Sequence, residues 1–188
     1  FGAGTGRLTR LLAPHVKRIQ AFDLYPEMVK RGNDNLLRLK INNAHIAEAE
    51  NKKLPIADRD VDLSIAGWTF GHCTSWFSGT WKDEIGGAVQ EMFRITKAKS
   101  GIAIILETLG TGSIEPCPPN EKLADYYSFI EGEYGFVRSW IRTDYQFASL
   151  EEAKHLTFTF FGREYDFEMS KSGAVVLPEC TGIWSRNF

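Results

Sequence analysis

Cysteine is scarce. The three present, Cys73, Cys117 and Cys180, are odd in number and far apart, and none has a companion at metal-ligand spacing. That excludes a disulfide scaffold and a zinc-type cluster, and it predicts free thiols in a reducing cytoplasm. Long apolar runs are missing too: nothing approaches the roughly 20 residues that span a bilayer, and we expect no secretory leader. Charge of one sign is also lacking, since 22 Lys and Arg against 24 Asp and Glu leave a net −2. A protein that holds nucleic acid by neutralising phosphates needs more basic surface than this. We therefore expect a cytoplasmic protein with neither nucleic acid nor membrane as partner. Neither an internal repeat nor a low-complexity linker divides the chain. Its 188 residues, 43% hydrophobic and 24% charged, suit one globular domain with its own core.

Glycine is concentrated at the start, in Phe1-Gly2-Ala3-Gly4-Thr5-Gly6-Arg7. Alternating glycines open backbone angles closed to other residues and leave no Cβ between main chain and ligand. A helix behind such a loop adds free N–H groups and a positive dipole end. The loop reads as a nucleotide-type cofactor site. A short helix from Arg7 to about Ala13 follows, with Leu8, Leu11 and Leu12 on one face and Pro14 as its stop. Arg18 to Phe22 reads as a strand ending at Asp23. Pro26 opens a helix to about Lys40, with Met28, Val29, Leu36, Leu37 and Leu39 as its apolar stripe. Ala44 to Ala47 is a strand, leading into Glu48-Ala49-Glu50, with His45 pointing outward. Val61 to Ala66 is a buried strand, a helix covers Thr80 to Thr96, and Ile102 to Leu106 is another buried strand. This alternation predicts an α/β fold with a doubly wound, mostly parallel sheet.

After Gly112 the pattern changes. An aromatic helix is expected around Lys122 to Glu131 and a strand from Trp140 to Phe147. Ser149 and Glu152 have capping-box spacing for a helix ended by Gly162. Strands are expected at Tyr165 to Met169 and Ala174 to Leu177, joined by a turn at Lys171-Ser172-Gly173. The run Glu179-Cys180-Thr181-Gly182-Ile183-Trp184 is distinctive, but periodicity assigns it no role.

Asp23 follows the last glycine by one helix and one strand, where a carboxylate can accept hydrogen bonds from both hydroxyls of a ribose. The loop spacing is G-x-G-x-G rather than the dinucleotide G-x-G-x-x-G, and there is no Walker lysine. The loop resembles motif I of the class I S-adenosylmethionine-dependent methyltransferases. Ala21-Phe22-Asp23-Leu24 looks like the family's second motif, and Ala47 to Glu50 followed by Leu54-Pro55 like its third. Val61 to Ala66 looks like its fourth strand, and Phe93 to Gly101 like the turn before its fifth. Five segments in order cover about the first 110 residues.

The resemblance implies a seven-stranded-type Rossmann-like sheet with an antiparallel C-terminal part. It implies one domain over 1–188, with a cofactor-binding half at 1–112 and a substrate-side half at 113–188. It also implies S-adenosylmethionine as cofactor and S-adenosylhomocysteine as product. Gly2, Ala3, Gly4 and Gly6 would meet the methionyl part, and Asp23 with Leu24 the ribose. Glu48, Ala49 and Glu50 would meet the adenine, and Ala66, Gly67 and Trp68 the space beside the sulfonium. In two respects the sequence departs from the family pattern. Lys97 to Gly101 replaces a common Pro-Gly-Gly turn. The central first strand and its acidic residue are absent ahead of Phe1, so we expect either a fragment of a longer chain or another element in that place.

For acceptor chemistry, His72 just past the fourth strand and Tyr145 are the candidate bases, with Glu107 behind them. Trp68, Trp76, Trp81, Tyr126, Tyr127, Phe129 and Trp140 are candidates to wall a flat or apolar acceptor, although core packing competes for most of them. The amino-methylating Asn/Asp-Pro-Pro-aromatic signature is missing, which points to a small-molecule acceptor. A homodimer is compatible with the sequence. Two other readings stand beside this one: an inactive or truncated methyltransferase-like binding module, and a nicotinamide-dependent oxidoreductase.

Overall fold

A computed structural model describes residues 1–170 and 173–188, so most of the turn expected at Lys171-Ser172-Gly173 lies outside the described residues. Strands and helices alternate through the first half except between Glu48 and Leu63, where no helix intervenes. Helix α1 (Arg7–Leu12) precedes β1 (Ile19–Asp23), α2 (Pro26–Arg38) and β2 (Ala44–Glu48). Next come β3 (Leu63–Gly67), the short α3 (Cys73–Trp76), α4 (Trp81–Ile95) and β4 (Ile102–Thr111). The second half holds α5 (Glu121–Tyr134), β5 (Val137–Arg142), β6 (Tyr145–Phe147) and α6 (Leu150–Phe161). It ends with β7 (Glu168–Met169), β8 (Val175–Leu177) and β9 (Glu179–Asn187). The crossover through α2 and the one through α3 and α4 each produce a parallel pair, while β2 leads to β3 without a helix. β1 pairs with β2 from Ile19↔Ala44 to Asp23↔Glu48, and β3 with β4 from Leu63↔Ile102 to Gly67↔Leu106.

The two parallel pairs are not bonded to each other directly. Phe1 to Ala3 bridge them at one end: Ala3 N–H donates to the Phe22 carbonyl at 2.8 Å, and the Phe1 nitrogen to the Ile65 carbonyl at 3.0 Å. The glycine loop is thereby tied to both halves of the domain.

The core sits between β3, β4, β9, α4 and α5. On α4, Ile85, Val89, Met92 and Ile95 are buried along one face, as the sequence spacing predicts. Trp184 is fully enclosed, with its ring centroid 4.4 Å from that of Tyr127 and Nε1–H donating to Glu131 Oε1 at 2.8 Å. The stripe on α2 is narrower than expected. Leu36 and Gly32 are buried and Val29 packs beside them against Ala21 and Ile46, while Leu37 is 77% exposed and Met28 and Leu39 face solvent. Leu37 lies about 100° around the helix from Leu36, beyond the single strand pair that α2 covers. Leu11 on α1 is exposed for the same reason, and Thr9 and Ala13 are buried in its place.

Three expectations in the second half are corrected. The strand expected from Trp140 to Phe147 is two strands in different sheets, β5 on β9 and β6 on β8. The break falls at Thr143-Asp144, where Thr143 N–H donates to the Glu179 carbonyl at 2.8 Å and Asp144 takes a bidentate pair of 2.8 Å bonds from Arg142. The strand expected from Tyr165 shrinks to Glu168–Met169. The strand at Val175–Leu177 does not close the chain. That role belongs to β9, which enters the middle of the sheet order β3-β4-β9-β5, antiparallel to both neighbours.

Candidate active site

The glycines of the opening loop differ in what requires them. Gly2 has φ +56°, and a Cβ there would stand 1.7 Å from Thr69 Oγ1, so the loop lies directly on the segment after β3. Gly4 has φ +52°, and nothing lies within 4 Å of where its Cβ would stand, so its face is open. Asp23 ends β1 at 8% exposure. Its Oδ2 accepts from Gly4 N–H at 2.7 Å and its Oδ1 from Tyr25 N–H at 3.0 Å. A carboxylate has about four lone-pair sites, so each oxygen keeps capacity for a further donor. The Asp23 carbonyl takes Ala49 N–H at 3.1 Å, which draws the end of β2 alongside. Glu48, Glu50 and Leu24 are exposed around this point and Ala49 is half-buried.

A continuous cavity of about 1410 Å³ runs from the gap between β1 and β3, past the loop, to the second half of the chain. Part of this volume is the inter-strand gap, lined by residues such as Ile19, Ala21, Leu63 and Ile65, and the rest is a site beside the loop. Gly2, Ala3, Gly4, Gly67 and Trp68 line it, whereas Ala66 is buried in the core beneath. Trp68 adopts φ +50°, with its N–H on the Leu106 carbonyl at 2.8 Å. The Arg7 guanidinium carbon lies 5.0 Å from its ring centroid, a cation–π contact. Asp23 and Glu48 to Glu50 do not line this cavity; they form the open flank of the loop.

Both candidate bases, His72 and Tyr145, reach the cavity wall. His72 is exposed, stacked on Trp76 with centroids 5.0 Å apart, and no hydrogen bond orients its imidazole among the described residues. Tyr145 is half-buried. Burial raises its phenol above the ordinary value, the Glu179 carboxylate adds to the rise, and Arg7 partly offsets it. A phenol raised in this way keeps its proton at neutral pH.

Glu107 is buried away from the wall. Its Oε1 accepts Gly71 N–H at 2.9 Å and faces the Tyr126 hydroxyl at 3.5 Å, and burial pushes its carboxyl up to about 7. It clamps the turn that carries His72. Tyr126 and Tyr127 are fully enclosed, Trp81 and Phe129 pack against the core, and Trp76 and Trp140 are exposed off the cavity. The aromatic wall comes instead from Tyr145, Phe160, Phe161 and Tyr165, together with Trp68.

Sequence reading missed Arg7, Thr108, Thr111 and Glu179, all on the wall. Glu179 is 4% exposed, its Oε1 accepts from Thr108 Oγ1 at 2.8 Å, and its N–H donates to Asp144 Oδ1 at 3.0 Å. The available signal was a carboxylate after Pro178 at the head of an otherwise buried strand, a position where an acid needs a reason.

Comparison with known proteins places these features. A family profile described as "Methyltransferase domain" matches residues 1–105. An uncharacterised methyltransferase-like protein of Schizosaccharomyces pombe is 32% identical over 109 residues, 57% of this chain and 37% of its own length. A malonyl-[acyl-carrier protein] O-methyltransferase of Serratia marcescens is 26% identical over 132 residues, 70% of this chain and 43% of its own. This chain thus spans about two fifths of the curated relatives it matches. Among solved structures, the YcgJ protein of Bacillus subtilis superimposes with TM-score 0.60 at 13% identity, covering 100% of this chain and 90% of that one. A SAM-dependent methyltransferase of Aquifex aeolicus does so with TM-score 0.58 at 15% identity, covering 98% and 78%. At such identities these structures share the fold.

Proposed function

Because the chain belongs to the methyltransferase domain family, whose cofactor is S-adenosylmethionine, we propose that it transfers a methyl group from that cofactor to a small-molecule acceptor. Residues 1–112 hold the cofactor in this reading and 113–188 supply most of the acceptor side. The observation that carries it is the bond from Gly4 N–H to Asp23 Oδ2 beneath an open loop face. The residues fit the cofactor. Asp23 keeps lone pairs for two ribose hydroxyls, and the space over Gly4 is clear.

When bound, S-adenosylmethionine supplies an electrophilic methyl group on a sulfonium. The chain supplies position. Gly2, Ala3 and Gly4 bring backbone to the methionyl part, while Gly6 packs behind them on Ile46 and Gly32. Asp23 with Leu24 holds the ribose, and Glu48, Ala49 and Glu50 flank the adenine. Gly67 and Trp68 border the reacting region, with Ala66 supporting them from the core. Alignment of this kind and exclusion of water by the aromatic wall can account for most of the acceleration of an in-line displacement. Tyr145 donates a hydrogen bond to the acceptor, and His72 stands at the mouth.

A side-by-side melt with S-adenosylhomocysteine and NAD tests the reading. A clear stabilisation by the first and none by the second is expected. Stabilisation by NAD alone would favour the oxidoreductase reading, and no shift with S-adenosylhomocysteine would sink the methyltransferase one.

A further inference from the structure

Glu179 is a polar group on the cavity wall outside the residues proposed to hold the cofactor. It is nineteen-twentieths buried, yet Oε2 has no hydrogen-bond partner, the one such buried side-chain atom among the described residues. The other oxygen is held firmly. Thr108 Oγ1 donates to Oε1 at 2.8 Å, and the Thr111 hydroxyl stands beside that of Thr108. A bulge in β4 creates this pair of hydroxyls. The β4–β9 register jumps from Thr108↔Thr181 to Thr111↔Glu179, and Gly110 at φ +136° takes the kink. Two hydroxyls three residues apart thus stand together beside one acid, with their oxygens 3.4 Å apart.

A residue there for packing alone would be apolar, because a buried oxygen left without a donor costs free energy on every folded molecule. Among the described residues no ion pair involves Glu179, and Asp144 beside it is another acid. Burial and Asp144 both hold the Glu179 carboxyl above the usual range, against the two threonine hydroxyls. The surrounding wall is Tyr145, Tyr165, Phe160, Phe161 and Trp68, which suits a flat apolar skeleton. A single fixed acceptor atom in an aromatic wall describes one half of a hydrogen bond.

We propose that Glu179 docks the methyl acceptor, with Oε2 receiving the hydrogen bond of a hydroxyl or amine on an aromatic or apolar skeleton and then taking its proton. The proposal rests on the methyltransferase reading above. In the proton step the O–H or N–H bond breaks, its electron pair stays on the acceptor oxygen or nitrogen, and the proton goes to Oε2 to give the neutral carboxylic acid. A raised carboxyl value brings this base nearer its working pH. An acceptor presenting a carboxylate at this point is excluded, because two carboxylates sharing a dry wall cannot both stay ionised.

The test uses four probes with one skeleton, namely phenethylamine, 2-phenylethanol, phenylacetate and ethylbenzene, titrated into the protein saturated with S-adenosylhomocysteine. The amine and alcohol are expected to bind about ten-fold or more tightly than the other two. In E179Q that advantage is expected to shrink to within about two-fold, with S-adenosylhomocysteine affinity unchanged. Phenylacetate or ethylbenzene binding as well as the amine, no measurable binding by any probe, or an advantage retained in a folded E179Q would each overturn the proposal. If E179Q fails to fold, the ranking of the four probes on the unaltered protein decides alone. Failure of S-adenosylhomocysteine to bind the unaltered protein would instead strike the methyltransferase reading itself.

Discussion

The Gly4 N–H and the Asp23 carboxylate, 19 residues apart in sequence, meet at 2.7 Å, so the cofactor loop and its acidic partner form one hydrogen-bonded unit. The acid that is expected to meet the ribose also fixes the loop expected to meet the methionyl end. Binding should therefore respond to Asp23 through both routes. Asp23→Ala is expected to weaken S-adenosylhomocysteine by about ten- to a hundred-fold, as loss of hydrogen bonds to a charged group implies. Calorimetric titration measures it, and unchanged affinity would remove Asp23 from the site.

The loop glycines should separate under substitution. Gly2→Ala drives a Cβ into Thr69 and should lower stability by about 2 kcal/mol or more. Gly4→Ala meets no atom and should lose only the roughly 1–2 kcal/mol of a left-handed backbone. It should nonetheless impair cofactor binding, since its methyl enters the open face. Denaturant unfolding and titration of both variants check this, and an equal stability loss in the two would contradict the packing described.

Glu107 makes stability depend on pH. Its carboxyl sits at about 7 in the folded protein against an ordinary 4.5, raised chiefly by burial. The folded state therefore holds an extra proton between those values, and stability falls as pH rises through that window. The contribution approaches about 3 kcal/mol above pH 7. Glu179, also raised, acts in the same direction. Glu107→Gln should flatten the melting profile between pH 4.5 and 7 while keeping an oxygen for Gly71 N–H. An unaltered slope in that variant would assign the pH dependence elsewhere.

Trp184 anchors the central strand β9 to α5 by its ring and its Nε1–H. Trp184→Ala should cost about 3–5 kcal/mol. Trp184→Phe should cost less, because Glu131 keeps Arg138 at 3.4 Å when the indole donor goes. Chemical denaturation of the two variants gives the comparison, and a phenylalanine variant as weak as the alanine one would mean that the hydrogen bond outweighs the packing.

The first half of the molecule was readable from its sequence because its determinants are local. A turn needing positive φ selects glycine, and a helix face repeats every 3.6 residues. A strand buried on both faces is a short apolar run, as at Ile102 to Leu106. Gly2 to Gly6, Asp23 and the order of β1 to β4 with their helices follow from such rules. Which of Leu36 and Leu37 is buried did not, since that depends on the strand pair beneath α2. Strand β9 was hidden for a related reason. Cys180, Thr181 and Trp184 are buried on both faces without alternation, and glycine and serine interrupt the run. Tertiary structure alone decided the acceptor wall. Thr108 and Glu179 are 71 residues apart, and only the antiparallel entry of β9 beside a bulged β4 brings the hydroxyl and carboxylate to 2.8 Å. Pairing over that separation depends on the packing of the whole domain, which no local pattern records.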